Sequence, residues 1–335
     1  MKQRVGWIDI ARGIGILAVL YGHAVSGDSY RHIVYAFHMP LFFFLSGIVF
    51  RPQKYREFFP FLWKNVVTIL FPYFLFAFLS YLIWLSARTT MPSVESITQH
   101  FLNVLYGNSS GLFFNVVLWF LPCLFVTKLL FWIITRVSLN SKYILATLIL
   151  LSAGGYIFSI LYPGIKLPFG LETALNATVF FGMGYLWQAH TQKISSPLQK
   201  YAIPTFFILT LLMIGLAQTN FNLYGYQIDM RLNRYSNYFL YYGAALSGIF
   251  AVVIVSLKLK SNRMLEHIGK QSLPLFVWHI IVFTYLTQFL RSFLSPETIS
   301  TYRNLYIAPI FTIVATILIL LGMYVYKRIT QRFSL

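Results

Sequence analysis

Charge is what this sequence has least of. Asp and Glu number 8 against 26 Lys and Arg, and charged residues make up only 10% of the 335 positions. Water-soluble domains carry nearer 25%, so a fold that faces water on every side is excluded. Hydrophobic residues reach 58% and the mean hydropathy is +0.69, a composition that a bilayer can solvate. Cysteine occurs once, at Cys123, which excludes an intrachain disulfide; in its apolar stretch the thiol reads as buried and inert. A Walker loop, a metal-binding cluster and a Gly-x-Ser-x-Gly elbow are all missing, so no metal is expected and neither P-loop nor serine-elbow chemistry is indicated. No separate soluble domain, internal repeat or low-complexity tract breaks the chain, so a single transmembrane domain is expected over 1–335.

Aromatic residues are abundant, with 33 Phe and 23 Tyr. Tyr suits the membrane interface, where one end of the ring is wet and the other apolar. A net charge of +18 would ordinarily suggest nucleic acid. Here the basic residues lie between hydrophobic runs and read as topology signals, so no nucleic-acid partner is expected. The start resembles a signal peptide, with Lys2 and Arg4 before the run Gly13 to Tyr21. Asp9 and Arg12 interrupt that order and no small-residue cleavage site follows, so the segment reads as a retained first helix.

A spanning helix needs ~20 mostly apolar residues. Ten segments qualify: 10–26, 33–50, 61–86, 112–135, 143–161, 172–188, 202–219, 238–257, 273–292 and 305–326. The third is expected to tilt, or to kink at Pro72. One alternating set of flanks holds 17 Lys and Arg; the other holds 7, namely Arg31, Arg88, Lys166, Arg231, Arg234, Arg291 and Arg303. Arg12 and Lys128 fall inside helices. The positive-inside rule then puts both termini in the cytoplasm, and the expected fold is an all-α integral membrane protein of about ten spans. Two outer segments are long: Ala87 to Gly111, polar, with Glu95 and His100, and Asn220 to Asn237. The second holds Tyr224, Tyr226, Asp229, Arg231, Asn233, Arg234 and Tyr235, a mixture that suits a sugar's C–H faces and hydroxyls and equally describes an ordinary interfacial loop.

Ionisable residues inside a membrane are functional suspects, and the first helix has three: Asp9, Arg12 and His23. Arg12 and His23 are eleven residues apart. That is about three turns and a rise of ~16 Å, so both lie on one face. With a cytoplasmic N-terminus, a cation sits at the mouth and an imidazole deep inside. That arrangement suits a long anionic substrate threading in from the cytosol, such as acetyl-CoA, its phosphates at Arg12 and its thioester toward His23. Taken singly, Arg12 reads as a snorkelling cation and His23 as a structural histidine. His38, in Phe37-His38-Met39-Pro40, and His279, in Trp278-His279-Ile280, are further cavity residues with packing roles as the alternative. Ser46-Gly47 reads as a close-packing site rather than a nucleophile.

These segments resemble a known family. Trp7-Ile8-Asp9-Ile10-Ala11-Arg12-Gly13, with His23 following, resembles the opening of the membrane acyltransferase 3 family. Phe37-His38-Met39-Pro40-Leu41-Phe42-Phe43-Phe44-Leu45-Ser46-Gly47 resembles the second helix of its fucose 4-O-acetylase-like branch. Trp119-Phe120-Leu121-Pro122, Phe180-Phe181-Gly182-Met183-Gly184-Tyr185 and Ser272-Leu273-Pro274-Leu275-Phe276-Val277-Trp278-His279 are similar to weaker family segments. The resemblance implies ten core helices in a bacterial cytoplasmic membrane, a cytoplasmic acyl-CoA donor and an extracytoplasmic glycan acceptor. It also implies a basic residue and an essential histidine at the spacing of Arg12 and His23. Some relatives add an extracytoplasmic esterase-like domain. This sequence ends soon after its tenth helix, so it is expected to finish the transfer itself or hand on to a partner.

The expected activity is O-acyl transfer, specifically O-acetylation of a cell-surface polysaccharide or lipid-linked glycan. The expected catalytic residues are His23, His38 and His279, with His38 and His279 the milder to lose if they only shape the cavity. Arg12 and Asp9 are expected on the donor, and Tyr226, Asp229, Arg231, Arg234 and Tyr235 on the acceptor. Direct transfer and an acyl-enzyme route both remain open. The rival reading is a secondary transporter or flippase for an anionic sugar or lipid, against which the absence of repeated halves counts.

Overall fold

The computed structural model describes residues 6–25, 27, 30–86, 97–107 and 112–333, with backbone alone at 113, 189–199 and 332–333. Lys2, Arg4, Arg88 and Glu95 lie outside the described residues. Backbone N–H and C=O groups in lipid must be satisfied within the segment itself, and among the described residues every regular element is helical. The helices are α1 (Gly6–Ala24), α2 (Arg31–Ile48), α3 (Phe58–Asn65), α4 (Phe71–Ser86), α5 (Ile97–Tyr106), α6 (Phe120–Val137) and α7 (Ser141–Leu161). They continue as α8 (Leu171–Lys200), α9 (Ala202–Tyr224), α10 (Tyr238–Leu259), α11 (Arg263–Lys270), α12 (Ser272–Arg291), α13 (Pro296–Tyr302) and α14 (Ala308–Phe333).

Among the described residues, each of the ten expected segments lies mostly in helix. Among the described residues, seven helical runs are long and apolar enough to cross a membrane: Phe58–Ser86, Phe114–Val137, Ser141–Leu161, Ala202–Tyr224, Tyr238–Leu259, Ser272–Arg291 and Pro296–Gln331. The other three expected spans lie in α1, α2 and α8, which are less apolar. Their polar side chains, including Asp9, His32, His38, Glu172, Thr173 and Asn176, are buried. A helix shielded by protein can carry polar groups that a lipid-facing one cannot. The chain is a multi-pass membrane protein.

Pro72 shapes the Phe58–Ser86 run. Proline has no N–H for the carbonyl four residues back, and its ring crowds that carbonyl. The backbone answers with a π-helical turn over Val66–Leu70, closed by Phe71 N–H donating to the Val66 carbonyl, one of the standard causes of a helix bend. The segment expected as a polar outer loop, Ala87 to Gly111, holds a helix instead at α5. His100 and Val104, one turn apart, are its buried face, a spacing too short to register as a helix in a composition-level reading.

The chain forms two compact units. The first comprises Met1–His38, Leu198–Gln227 and Ala244–Leu335; the second comprises Met39–Pro197 and Ile228–Gly243. In the second, Phe50, Phe61, Phe131, Ile134, Ile144, Leu148 and Phe181 form a core cluster. A reciprocal glycine contact joins α2 to α8 there. A Cβ on Gly47 would overlap the Phe181 carbonyl, and one on Gly184 would overlap the Phe44 carbonyl. Ser46 Oγ donates to the Phe42 carbonyl at 2.8 Å. Ser46-Gly47 is therefore a packing element, as its composition suggests.

In the first unit, α1 packs most extensively on α11 and also meets α12 and α14. Its contact with α11 is backbone on backbone. A Cβ on Gly13 would overlap the Leu265 carbonyl, and one on Gly269 would overlap the Asp9 carbonyl. Asn262 caps α11, accepting from Leu265 N–H. Because a carbonyl cannot rotate aside as a flexible side chain can, Gly13→Ala and Gly269→Ala are each expected to cost about 1–3 kcal/mol. Gly154→Ala, with nothing within 4 Å of the new methyl, is expected to be neutral or stabilising, since alanine favours a helix interior. Melting of the purified protein in detergent distinguishes them; no difference between Gly269→Ala and Gly154→Ala would show that the contact carries little.

Candidate functional site

The site is built on α1. Its 19 residues run unbroken from Gly6 to Ala24, so Arg12 and His23 hold the shared face and ~16 Å rise of an α-helix. Asp9, one turn before Arg12, is 1% exposed, and its Oδ1 accepts from Arg12 Nη1 at 3.4 Å. The guanidinium is partly exposed. The buried carboxylate orients it, and a guanidinium's five N–H groups allow more than one partner. A cavity of 340 Å³ lies at the same end of this unit, between the α11–α12 junction and the last turns of α14, lined by His267, Gln271, Leu320, Met323, Tyr324, Tyr326, Lys327 and Thr330. The Gly269–Asp9 contact ties α11 to the Arg12 end of α1.

At the other end of α1, three histidines come together from three helices. The His23 ring centroid lies 5.2 Å from that of His279 and 5.8 Å from that of Tyr35. Tyr35 in turn lies 4.9 Å from His38. His38 Nδ1–H donates to the Val34 carbonyl at 2.7 Å. His279 Nδ1–H donates to the Leu275 carbonyl at 3.0 Å. Each carbonyl can only accept, so the proton sits on Nδ1 in each ring, and in the neutral form Nε2 is the lone pair. Burial is nearly complete, with His279 0% and His38 3% exposed, and His279 Nε2 has no hydrogen-bond partner among the described residues. His23 is the more accessible ring, and its Nδ1 lies 3.4 Å from Tyr35 Oη. If His23 Nδ1–H donates to that oxygen, its Nε2 is the basic nitrogen. The three nominated histidines thus form one cluster.

Tyr35 was not nominated by sequence. Its signal is position: it stands one turn before His38, so the two share a face of α2. His32, also not nominated, is committed to packing: Nε2 meets Gln218 Oε1 at 2.9 Å and the ring stacks on Phe221 at 4.7 Å.

The nominated acceptor residues fall in both compact units. Tyr226 is exposed and belongs to the first unit, whereas Asp229, Arg231, Arg234 and Tyr235 belong to the second. Asp229 is 6% exposed and organises a turn. It exchanges backbone hydrogen bonds with Arg234 at 2.9 and 3.0 Å, accepts from Leu232 N–H at 3.3 Å and pairs with Arg231 at 3.4 Å. Asn233 takes a positive φ of 56° to close it. Lys166 Nζ donates to the Leu232 carbonyl at 2.6 Å; burial lowers its pKa, partly opposed by Glu172 and Asp229. Tyr235 is 1% exposed, its ring 4.7 Å from Tyr241. Aromatic and amide composition suited a sugar surface, but much of it here is turn and core. Among the described residues no group of three or more His, Cys, Asp or Glu could hold a metal ion.

Residues 5–328 match a protein family described as an acyltransferase domain, the family that the α1 and α2 motifs resemble. No curated protein and no solved structure matches this chain.

Proposed function

We propose that this chain, which belongs to the acyltransferase family matched over residues 5–328, is an O-acetyltransferase moving an acetyl group from cytoplasmic acetyl-CoA to a hydroxyl of an extracytoplasmic glycan. The observation that carries this reading is the single helix α1, with a carboxylate-oriented guanidinium near one end and a histidine cluster at the other. Arg12 holds donor phosphate, and the neighbouring cavity with His267 and Lys327 offers further cationic and aromatic surface. The pantetheine arm then runs along α1 toward His23.

At the cluster, the acceptor oxygen attacks the thioester carbonyl as its proton passes to His23. The C–S bond breaks, and the imidazolium returns the proton to the departing thiolate. His38 and His279 supply Nε2 lone pairs that accept hydrogen bonds from sugar hydroxyls and so orient the nucleophile. A lone pair buried without a donor costs about 1–3 kcal/mol, and an acceptor hydroxyl relieves that cost on binding.

The direct test is mass spectrometry of surface glycans from cells with and without the protein. An acetyl-sized mass difference is expected. Unchanged glycans together with movement of an anionic sugar or lipid, and no consumption of thioester, would favour the transporter reading. The sidedness has its own check. Reporter fusions after Lys54 and Lys260 are expected to report cytoplasm, and fusions near Thr98 and Tyr226 the outside. A reversed pattern would put the donor on the wrong side of α1.

A further inference from the structure

Two of the seven basic residues in the outer flanks, far apart in sequence, meet at the C-terminal end of α1, and a third, Arg291, lies within electrostatic reach of one of them. Arg31 Nε donates to the Gly22 carbonyl at 3.4 Å, and its guanidinium lies 5.3 Å from the centroid of the Tyr35 ring. Arg303 Nε donates to the Ala24 carbonyl at 2.8 Å, and its guanidinium lies 5.8 Å from the centroid of Phe311. Arg31 and Arg291 are the like charges that act on Arg303. A helix C-terminus attracts cations, but one would satisfy that need, and each capping arginine spends only Nε on it. The Nη groups, four N–H donors on each fork, have no acceptor among the described residues. No carboxylate lies within ion-pairing distance of Arg31, Arg291 or Arg303 among the described residues. Arg303 also opens a π-helical turn, Arg303–Ile307, the kind of irregularity that recurs at functional sites.

Arg31 and Arg303 are thus partly buried like charges whose Nη groups meet no acceptor among the described residues. We infer that Arg31 and Arg303, with Arg291 at the rim, form an anion site for a phosphate group of the acceptor. The acceptor is then a phosphate-bearing glycan, carrying either a diphosphate to its lipid or phosphodiesters along its chain. Planar forks match phosphate oxygens bidentately, and three cations suit a group with more than one negative charge better than a single carboxylate. The placement fits transfer, because Tyr35 bears Arg31 on its ring and meets His23 at its hydroxyl. A phosphate held by Arg31 is therefore one tyrosine away from the histidine cluster. This inference rests on the acetyl-transfer reading for its acceptor, though not for the anion site.

The test uses the full chain in nanodiscs of phosphatidylcholine, with inorganic pyrophosphate as the probe and thermal protection as the readout. Pyrophosphate is expected to protect the wild type, and Arg31→Gln/Arg303→Gln to weaken its binding by at least about tenfold. Arg31→Lys/Arg303→Lys, which keeps the charges but loses the forks, is expected to fall between. Arg291→Gln touches no helix carbonyl and reads the site even if the double variant does not fold; it is expected to weaken binding several-fold. Equal protection in wild type and Arg291→Gln, or in wild type and the double variant, would overturn the site. Loss of protection in phosphatidylglycerol nanodiscs would mean that a bulk lipid headgroup occupies the arginines, and would overturn the acceptor assignment. Acetyl transfer is measured alongside. Pyrophosphate binding through these arginines with no transfer to any glycan would leave the site standing and remove the acyltransfer reading. Transfer that is identical in wild type and variants, with identical binding, would do the reverse.

Discussion

His23→Ala is expected to insert, fold and bind acetyl-CoA while losing acyl transfer by ~10²–10⁴, the usual cost of removing a positioned general base. The size follows from the chemistry: a sugar hydroxyl is a poor nucleophile near neutral pH, and its attack on a thioester needs its proton removed as the bond forms. His23 is the accessible member of the cluster, and Tyr35 Oη, 3.4 Å from its Nδ1, can hold the tautomer that leaves Nε2 basic. Tyr35→Phe is then expected to reproduce part of the defect in turnover with donor binding unchanged. The measurement is glycan acylation in cells beside membrane protein level and donor binding for each variant. Near-normal acylation by well-expressed His23→Ala would move the base to His279 or His38, whose Nε2 atoms are already the lone-pair nitrogens. That outcome is distinguishable from a cavity-shaping role. His279→Gln keeps a hydrogen-bonding side chain but cannot act as a base, so it retains activity only if His279 orients the acceptor.

The second large effect belongs to Arg12. Arg12→Ala is expected to weaken acetyl-CoA binding by about ten- to a hundredfold, the range for lost hydrogen bonds to a charged group, while the chain still folds. Arg12→Lys keeps the charge but not the fork, and should retain a fraction of the affinity. Asp9 complicates the substitution in a useful way. Its carboxylate is buried and accepts from Arg12, so Arg12→Ala also removes a cation beside it. Asp9→Asn, which keeps the shape and removes the charge, is therefore expected to weaken donor binding through misplacement of Arg12, more mildly than Arg12→Ala. If Arg12→Ala left the acyl-CoA dependence of the reaction unchanged, the phosphate role would be lost and Arg12 would be a structural partner of Asp9.

The helices were legible because apolar runs of spanning length have few alternatives in lipid. The least apolar of them, α1, α2 and α8, are also where buried polar groups sit, so the weakness of their hydropathic signal was itself informative. An ionisable group that interrupts an apolar run stands out in one dimension, as at Arg12, His23, His38 and His279. That these last three meet could not be read, since each comes from a different helix and periodicity carries no information between helices. Tyr35 was invisible among 23 tyrosines. Arg31, Arg291 and Arg303 were counted only as topology charges, because nothing in one dimension distinguishes a gathered cation from a scattered one. In the segment around Asp229, composition did not separate surface from interior: Asp229 and Tyr235 are buried and Asp229 organises a turn, whereas Tyr226 is exposed.

The glycine contacts between α1 and α11 have a mechanical side. At Gly13 and Gly269 the two backbones touch with no side chain between them to act as a cushion. Two backbones in direct contact leave no slack, so the position of α11, and of His267 on it, is fixed against the same turn of α1 that carries Asp9 and Arg12.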